Sequence, residues 1–548
     1  MDSRAKDLID RQQELMADRV QWEERWQKAA EYCLPAFSDF QTVRAKGPIS
    51  SPKVYDSTAR GAVRRFASAV EAAATPQHQQ YQVFHPEDEA LEGDEEILEY
   101  AQALGKTLFR NRYMAKSGFT ANTGGIYEQF GVFGNACMYI EDIPGRGATY
   151  IAMPLRDTFI ATDAYGYVDT IYRRFELTVK QARQMFGDDV PPIVKKAKSD
   201  RAKHWFLHCV KPADYFDNKM LGRKGQRFGS CYVGEQDRVI IREGGYYSMP
   251  YIFLRDIVSP GEDYAQSIAL DALPDVLQLN AVERSTTRQI EKMADPTLLL
   301  SEDAALEPFN LNNGAMNYGY LSDRGDPLVQ ALETGARPDL SKAFADQKRD
   351  QVKDSFWGSL FLIALQNPNM SATEILQRAQ ERGELIAPTM GQIHGGFLAP
   401  MSEREIDIHH RAGRLPPMPQ KLIERGGRVR FVHDTQVTRA QKFGDAIALQ
   451  NSINQLTPLA NIKGNEKIMR VFDPYKAGRG VADINGVPAK WLRTIEELQG
   501  LDEQEASDAQ AQNLLAAAPI AASAAKDLAQ AEALSPGQPL LRDAEVFG

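Results

Sequence analysis

The sequence predicts an α+β protein that is mainly helical, and three observations carry that reading. Most of the chain places apolar residues at steps of three and four, the spacing of one face of an α-helix. From residue 134 to 255 the pattern changes to short apolar runs bounded by Gly, Pro, Asn and Asp, the sign of antiparallel strands. A length of 548 residues, 43% of them hydrophobic and 25% charged, suits an ordinary globular protein with roughly two to four domains.

Taken in order, residues 5–33 read as one amphipathic helix with Leu8, Leu15, Trp22, Trp26 and Ala29 on one side and Pro35 as its stop. Asp56 or Ser57 caps a second helix through Ala62, Val63, Phe66 and Val70, which ends at Thr75-Pro76. A strand over 81–85 is followed by an acidic run, 87–99, read as solvated surface leading into a helix with Leu104, Leu108 and Arg112. Residues 119–133 are helical, and Gly134 opens the strand region, which holds one small helix between the Thr178 cap and Gly187. Residues 1–265 therefore form an α+β domain.

The remainder is organised around residues 271–366, read as two long helices separated by a short excursion. The first starts at an Asp271 cap, with Pro274 in its first turn, and carries Leu279, Val282, Thr286, Ile290 and Met293 until Pro296 ends it. Its roughly 24 residues make a rod about 36 Å long. The second starts after Pro338 with Asp339 as cap and carries Phe344, Lys348, Val352, Phe356, Leu360 and Ile363 to Gln366. Arg284, Arg288 and Lys292 lie on the opposite face of the first rod, and Lys342, Asp346, Arg349, Asp350 and Lys353 on that of the second. Lys342 with Asp346 and Asp350 with Lys353 can pair along the helix. An ordinary helical hairpin with a solvated face has the same pattern.

The excursion, 296–338, shows strand-like runs at 297–300 and 317–321 and polar turns containing Glu302, Asp303, Asn312 and Asn313; it is too small to bury a core by itself. After an uncharged loop, 366–370, the capping box Ser371-Ala372-Thr373-Glu374 launches a helix that continues through Pro388 with a kink. A strand over 428–433 and further helices from 436 onward complete the chain, the last over about 502–534.

A net charge of -10 argues against a protein that grips nucleic acid by neutralising phosphates, though not against one that lets nucleic acid pass. The cysteines, Cys33, Cys137, Cys209 and Cys231, have no metal-ligand spacing and read as buried free thiols in a reducing compartment. The charged N-terminal segment is not a signal peptide, and the run 360–365 is too short for a membrane helix, so no membrane is expected. His409 and His410 are adjacent, hence about 100° apart on a helix, and do not suit one metal ion. No phosphate loop and no nucleophile elbow is found, and no catalytic, cofactor or metal site is expected.

Several stretches, in their order and spacing, resemble the head-to-tail connector, or portal, proteins of short-tailed (podovirus-type) double-stranded DNA bacteriophages: Val54-Tyr55-Asp56-Ser57-Thr58-Ala59, Phe133-Gly134-Asn135-Ala136-Cys137, Asp169-Thr170-Ile171-Tyr172-Arg173, Asp271-Ala272-Leu273-Pro274, Met370-Ser371-Ala372-Thr373-Glu374-Ile375 and Gly486-Val487-Pro488. The likeness spans residues 5 to about 500. It departs at Tyr264-Ala265-Gln266, where the family tends to have Tyr-Gly-Arg.

The resemblance implies a non-enzymatic ring of twelve copies at one capsid vertex of the virion, assembled in the host cytoplasm. It implies a wing (1–265), a first stem helix (266–295), a clip (296–338), a second stem helix (339–365), a channel loop (Gln366, Asn367, Pro368, Asn369 and Met370), a kinked wing helix with return strand (371–435) and a helical crown (436–548). The implied partners are double-stranded DNA in the channel, the large terminase, scaffold and major capsid proteins, and tail adaptor proteins. Glu302, Asp303, Asn312 and Asn313 would face motor or tail. Twelve helices at about 10 Å spacing enclose a hole on the order of 28 Å, enough for a duplex, whereas six leave about 9 Å. The alternatives are another phage tail or adaptor ring lacking this helical core, or a cytosolic hydrolase.

Overall fold

The computed structural model describes residues 3–41, 54–91, 94–300, 310–332, 338–358, 385–433, 447–458 and 472–484, apart from scattered positions within them, and isolated positions between 491 and 508. The chain divides into two compact units, residues 1–89 with 100–441, and residues 90–99 with 442–548. The described part of the second unit includes helical residues 447–458 and the helix Pro474–Ile484. Everything below concerns the first unit, which mixes helix and strand.

Its N-terminal helices are α1 (Ser3–Asp18) and α2 (Val20–Cys33). The expected single helix over 5–33 is interrupted at Arg19, although no Pro or Gly stands there. The cause is tertiary: the fully buried Arg19 guanidinium donates to the carbonyls of Leu155 (3.0 Å), Arg156 (2.8 Å) and Thr158 (2.6 Å) and to Glu23. Satisfying those acceptors outweighs one helical turn. Helices α3 (Thr58–Ala74), α4 (Glu95–Arg112) and α5 (Phe119–Phe133) follow, with strand β1 (Gln82–Pro86) between α3 and α4.

Gly134, in the left-handed region at φ +68°, turns the chain from α5 into β2 (Asn135–Ile143), as its lack of a β-carbon allows. Strands β3 (Gly147–Met153) and β9 (Tyr251–Arg255) flank β2 in an antiparallel sheet ordered β3-β2-β9. A second antiparallel sheet runs β4 (Thr158–Thr162), β5 (Val168–Thr178), β6 (Lys203–Pro212), β7 (Phe228–Gly234) and β8 (Val239–Tyr246) in sequence order. Helix α6 (Val179–Phe186) begins with the anticipated Thr178 capping box, which Gln181 completes, and the short α7 (Pro192–Lys195) follows.

The main core packs α2, α3 and α5 on the three-stranded sheet through Trp26, Phe66, Phe130, Phe133 and Ile140. Leu8 and Leu15 of α1 instead cover one face of the five-stranded sheet, against Phe159, Tyr172 and Leu207. Between the sheets, His208 is held by Tyr251 Oη (2.7 Å) and Ser230 Oγ (2.9 Å) and stacks on Tyr232 at 3.9 Å. Burial pushes its pKa well below the ordinary 6.5, so the ring is neutral.

The first long rod is α8 (Ile268–Ala294), the second α9 (Pro338–Ser355). Helix α8 starts one turn earlier than expected, because Ser267 rather than Asp271 is its cap, accepting the Leu270 N–H at 3.0 Å. Pro274 therefore lies inside the helix rather than in its first turn. The regular run of α9 ends before the expected Gln366: residues 356–357 form a turn, with Trp357 in the left-handed region at φ 60°. That conformation sends Trp357 onto Phe66, ring centroids 5.1 Å apart, while Phe356 also packs there at 6.5 Å. Residues 359–384, including the expected capping box at Ser371, lie outside the described residues.

Between the rods, β10 (Leu298–Leu300) pairs with β11 (Val329–Ala331), not with the run expected at 317–321. Residues 320–328 are folded into a tight turn of their own, with Leu328 N–H on Tyr320 O (2.9 Å) and Ser322 N–H on Asp326 O (2.8 Å), so Leu321 meets only Pro327. Farther on, residues 385–393 are helical through Pro388, and the departure from α geometry comes later, in a π-turn at His394–Leu398 before α10 (Ala399–Arg411). Pro400 explains the place, since its missing N–H leaves an α-type acceptor vacant and the Ala399 N–H reaches back to His394 O. The short α11 (Gln420–Glu424) leads to β12 (Val429–His433), which pairs antiparallel with β1.

Candidate functional site

The α8/α9 hairpin is rooted in the core at one end and bare at the other. At the root, Ser267 Oγ donates to Val132 O (2.7 Å) while it caps α8, and Asn135 brackets the preceding turn by bonding both Ala265 O and Ala265 N–H at 3.1 Å. A β-carbon at Gly134 would lie 2.3 Å from Gln266 O, so only glycine lets α5, β2 and the start of α8 meet this closely. Along α8 the buried line is Ala269, Leu270, Ala272, Val276, Leu279, Asn280 and Thr286. Beyond Thr286 burial stops, and Ile290 and Met293, expected on the apolar face, are 53% and 56% exposed. On α9 the buried line is Ala345, Val352 and Phe356, while the expected Phe344 and its neighbour Leu340 are 39% and 64% exposed.

Ion pairs stitch the two helices together. Lys348 Nζ meets Asp275 at 2.8 Å, and Arg349 bonds Asp56 (2.9 Å), Asp346 (2.6 Å) and Glu283 at once. Burial alone would raise the Asp56 pKa, but the Thr58 hydroxyl and amide and the Arg349 guanidinium outweigh it and hold the carboxyl below its usual range. Asp350 pairs with Lys353 at 2.8 Å as expected, whereas Asp346 is taken by Arg349 rather than Lys342. Arg349 thus spends its guanidinium within one chain. Arg284 is exposed beside Tyr55, 6.0 Å from its ring centroid, and Arg288, Lys292, Lys342 and Asp350 are exposed.

The Arg349 partner Asp56 was not legible as such from sequence, although Val54-Tyr55-Asp56 belongs to the stretches singled out above. The Tyr55 N–H also reaches this hairpin, donating to Asn280 Oδ1 at 2.7 Å. Gln366, Asn367, Pro368, Asn369 and Met370, like Glu302, Asp303 and Asn313, lie outside the described residues; Asn312 is described and exposed. His409 is buried and His410 exposed, so the two rings face different surroundings. Among the described residues no helix is long and apolar enough to cross a membrane.

Comparison with known proteins points the same way as the hairpin. The family model for the bacteriophage head to tail connecting protein matches residues 5–492. A probable portal protein of Bordetella phage BPP-1 is 26% identical over 515 residues, covering 92% of this chain and 91% of the relative. The portal protein of Salmonella phage epsilon15 is 24% identical over 546 residues, covering 96% of each. The portal protein of Enterobacteria phage T3 is 21% identical over 527 residues, covering 94% and 92%. A chain in the virion of a native gene transfer agent (GTA) particle aligns at 11% identity and a TM-score of 0.38, over 79% of this chain and 97% of that one. The chain belongs to the bacteriophage head to tail connecting protein family.

Proposed function

We propose that this connector is a portal: twelve copies close head-to-tail into a ring at one vertex of a short-tailed phage capsid, and double-stranded DNA enters and leaves through the bore. The observation that carries the reading is the hairpin with a buried root and a bare outer half. Ile290, Met293, Leu340 and Phe344 are more exposed than single chains usually leave large apolar groups in one element, and a neighbouring copy of the same hairpin would cover them. Each copy then needs two different complementary faces. The exposed cations Arg284, Arg288 and Lys292 of α8 and the acids Asp346, Asp350 and Asp354 of α9 suit that requirement.

In this reading α8 and α9 are the stem, 296–338 the clip that meets the large terminase and later the tail adaptor, and 366–370 the channel loop. Residues 1–265 and 371–435 form the wing, which faces scaffold and major capsid proteins, and 436–548 the crown. The 27 residues of α8 make a rod about 40 Å long. At one phosphate charge per about 1.7 Å of duplex, a uniformly basic wall of that length would hold DNA rather than let it slide. The mixed charge of the hairpin avoids this.

Single-particle imaging with mass measurement tests the proposal. A ring with an axial opening and a mass of about 730 kDa, twelve times the 61.1 kDa chain, is expected; a monomer, or an assembly without an opening, refutes it.

A further inference from the structure

A cavity of about 560 Å³ opens between α1 and the β6–β7–β8 part of the five-stranded sheet, a size that suits a small ligand. Its floor is apolar: Leu8 from α1, Phe228, and the thiols of Cys209 and Cys231, which stand opposite each other on β6 and β7. Burial pushes the Cys209 thiol up to about 12, so that part of the floor is uncharged at neutral pH.

The mouth is different. Arg4, Lys211, Arg223 and Lys224 line it. Glu243 serves both Arg4 (2.5 Å) and Arg223 (2.6 Å), and Asp214 lies 3.6 Å from Lys211. Four cations thus face two carboxylates, and among the described residues Lys224 has no ion-pair partner. An apolar floor under a mouth with excess positive charge selects a molecule with the opposite layout.

We propose that this cavity binds a small amphiphilic anion, an apolar aryl or alkyl body bearing one negative group. The body lies on Leu8, Phe228 and the two cysteines, and the anionic group sits at Lys224. The binding is non-covalent and does not depend on the portal reading.

The test uses the full chain and two fluorescent probes of the same shape, anilinonaphthalene sulfonate and the uncharged N-phenylnaphthylamine. Gly229 stands in register with Lys211, on the cavity face two residues from Cys231, and a β-carbon there would meet nothing closer than Lys211 O at 3.8 Å. Gly229→Leu therefore fills the cavity without displacing backbone, and its melting temperature reports that the fold is kept. Lys224→Glu changes an exposed side chain only. Relative to Gly229→Leu, the natural chain should show one additional saturable sulfonate site. Lys224→Glu should weaken the sulfonate about fivefold while shifting the uncharged probe by less than about twofold. Equal sulfonate titrations of the natural chain and Gly229→Leu overturn the proposal. So does a Lys224→Glu variant that leaves the sulfonate unchanged or weakens both probes alike.

Discussion

Replacing Glu405 by alanine should be among the most destabilising single changes in the chain. Arg112 and Glu405 are both essentially inaccessible, and the guanidinium grips the carboxylate twice, Nε to Oε1 at 2.9 Å and Nη2 to Oε2 at 2.6 Å. Tyr150 Oη donates to the same carboxylate, and Arg112 Nη1 donates to Tyr81 Oη at 2.5 Å. Glu405→Ala leaves a fully buried cation with one hydroxyl for company, and breaking such a pair costs about 3–5 kcal/mol. Replacing both partners, Arg112→Met with Glu405→Leu, removes the stranded charge. It leaves two tyrosine hydroxyls each short of a partner at about 1 kcal/mol, so the double variant should sit only about 2 kcal/mol below the natural chain. Urea unfolding followed by the fluorescence of Trp26, which lies in the same core, measures the first cooperative transition. With a denaturant slope near 3 kcal/mol/M, the single variant should lower its midpoint by about 1 M or more. A loss below about 1 kcal/mol, or a double variant no more stable than the single one, would refute the argument.

Three other predictions concern different parts of the molecule. Burial, helped by the Asp271 charge, pushes the Asp256 carboxyl from its ordinary 3.8 to about 6, and its Oδ1 lacks a hydrogen-bond partner. Between those values the native state holds more protons than the unfolded chain, so stability is highest below about pH 4 and falls as pH rises through 6. Thermal melting against pH should show Asp256→Asn equal to the natural chain at pH 4 and, after allowing for partial solvent screening, about 2 kcal/mol more stable at pH 8. Gly134→Ala combines φ +68° with a 2.3 Å approach to Gln266 O and should cost more than about 4 kcal/mol, seen as loss of soluble protein. Asn367→Lys with Asn369→Lys adds two cations per copy to the proposed channel loop and should slow DNA packaging in an in vitro assay; an unchanged rate would remove the loop from the channel.

Elements set by local signals were legible in the sequence. The Thr178 capping box, the Gly134 turn and the stop at Thr75-Pro76 each depend on residues within a few positions, and each is found where expected. The misplaced boundaries have distant causes. Nothing near Arg19 announces a break, because the carbonyls that claim its guanidinium lie 136 to 139 residues away. Ser267 and Asp271 are equally good caps by type, and Val132 O decides between them. The charged rows of the hairpin were readable as helix faces, but Arg349 could not be assigned to an intrachain network whose partner Asp56 is 293 residues away. Periodicity likewise gave Ile290 and Met293 as apolar-face residues without revealing that the chain's own core ends at Thr286.

The root of α8 fixes how force travels through one subunit. Ser267 joins the helix start to the carboxyl end of α5, Asn135 clasps the turn before it, and Gly134 leaves no slack between them. A pull along the α8 axis is therefore handed directly to α5 and to the central strand β2, two of the most deeply packed elements of the fold. The outer half of the hairpin, with no such ties, is the part free to bend, so axial load is borne by the body while lateral adjustment stays at the tip.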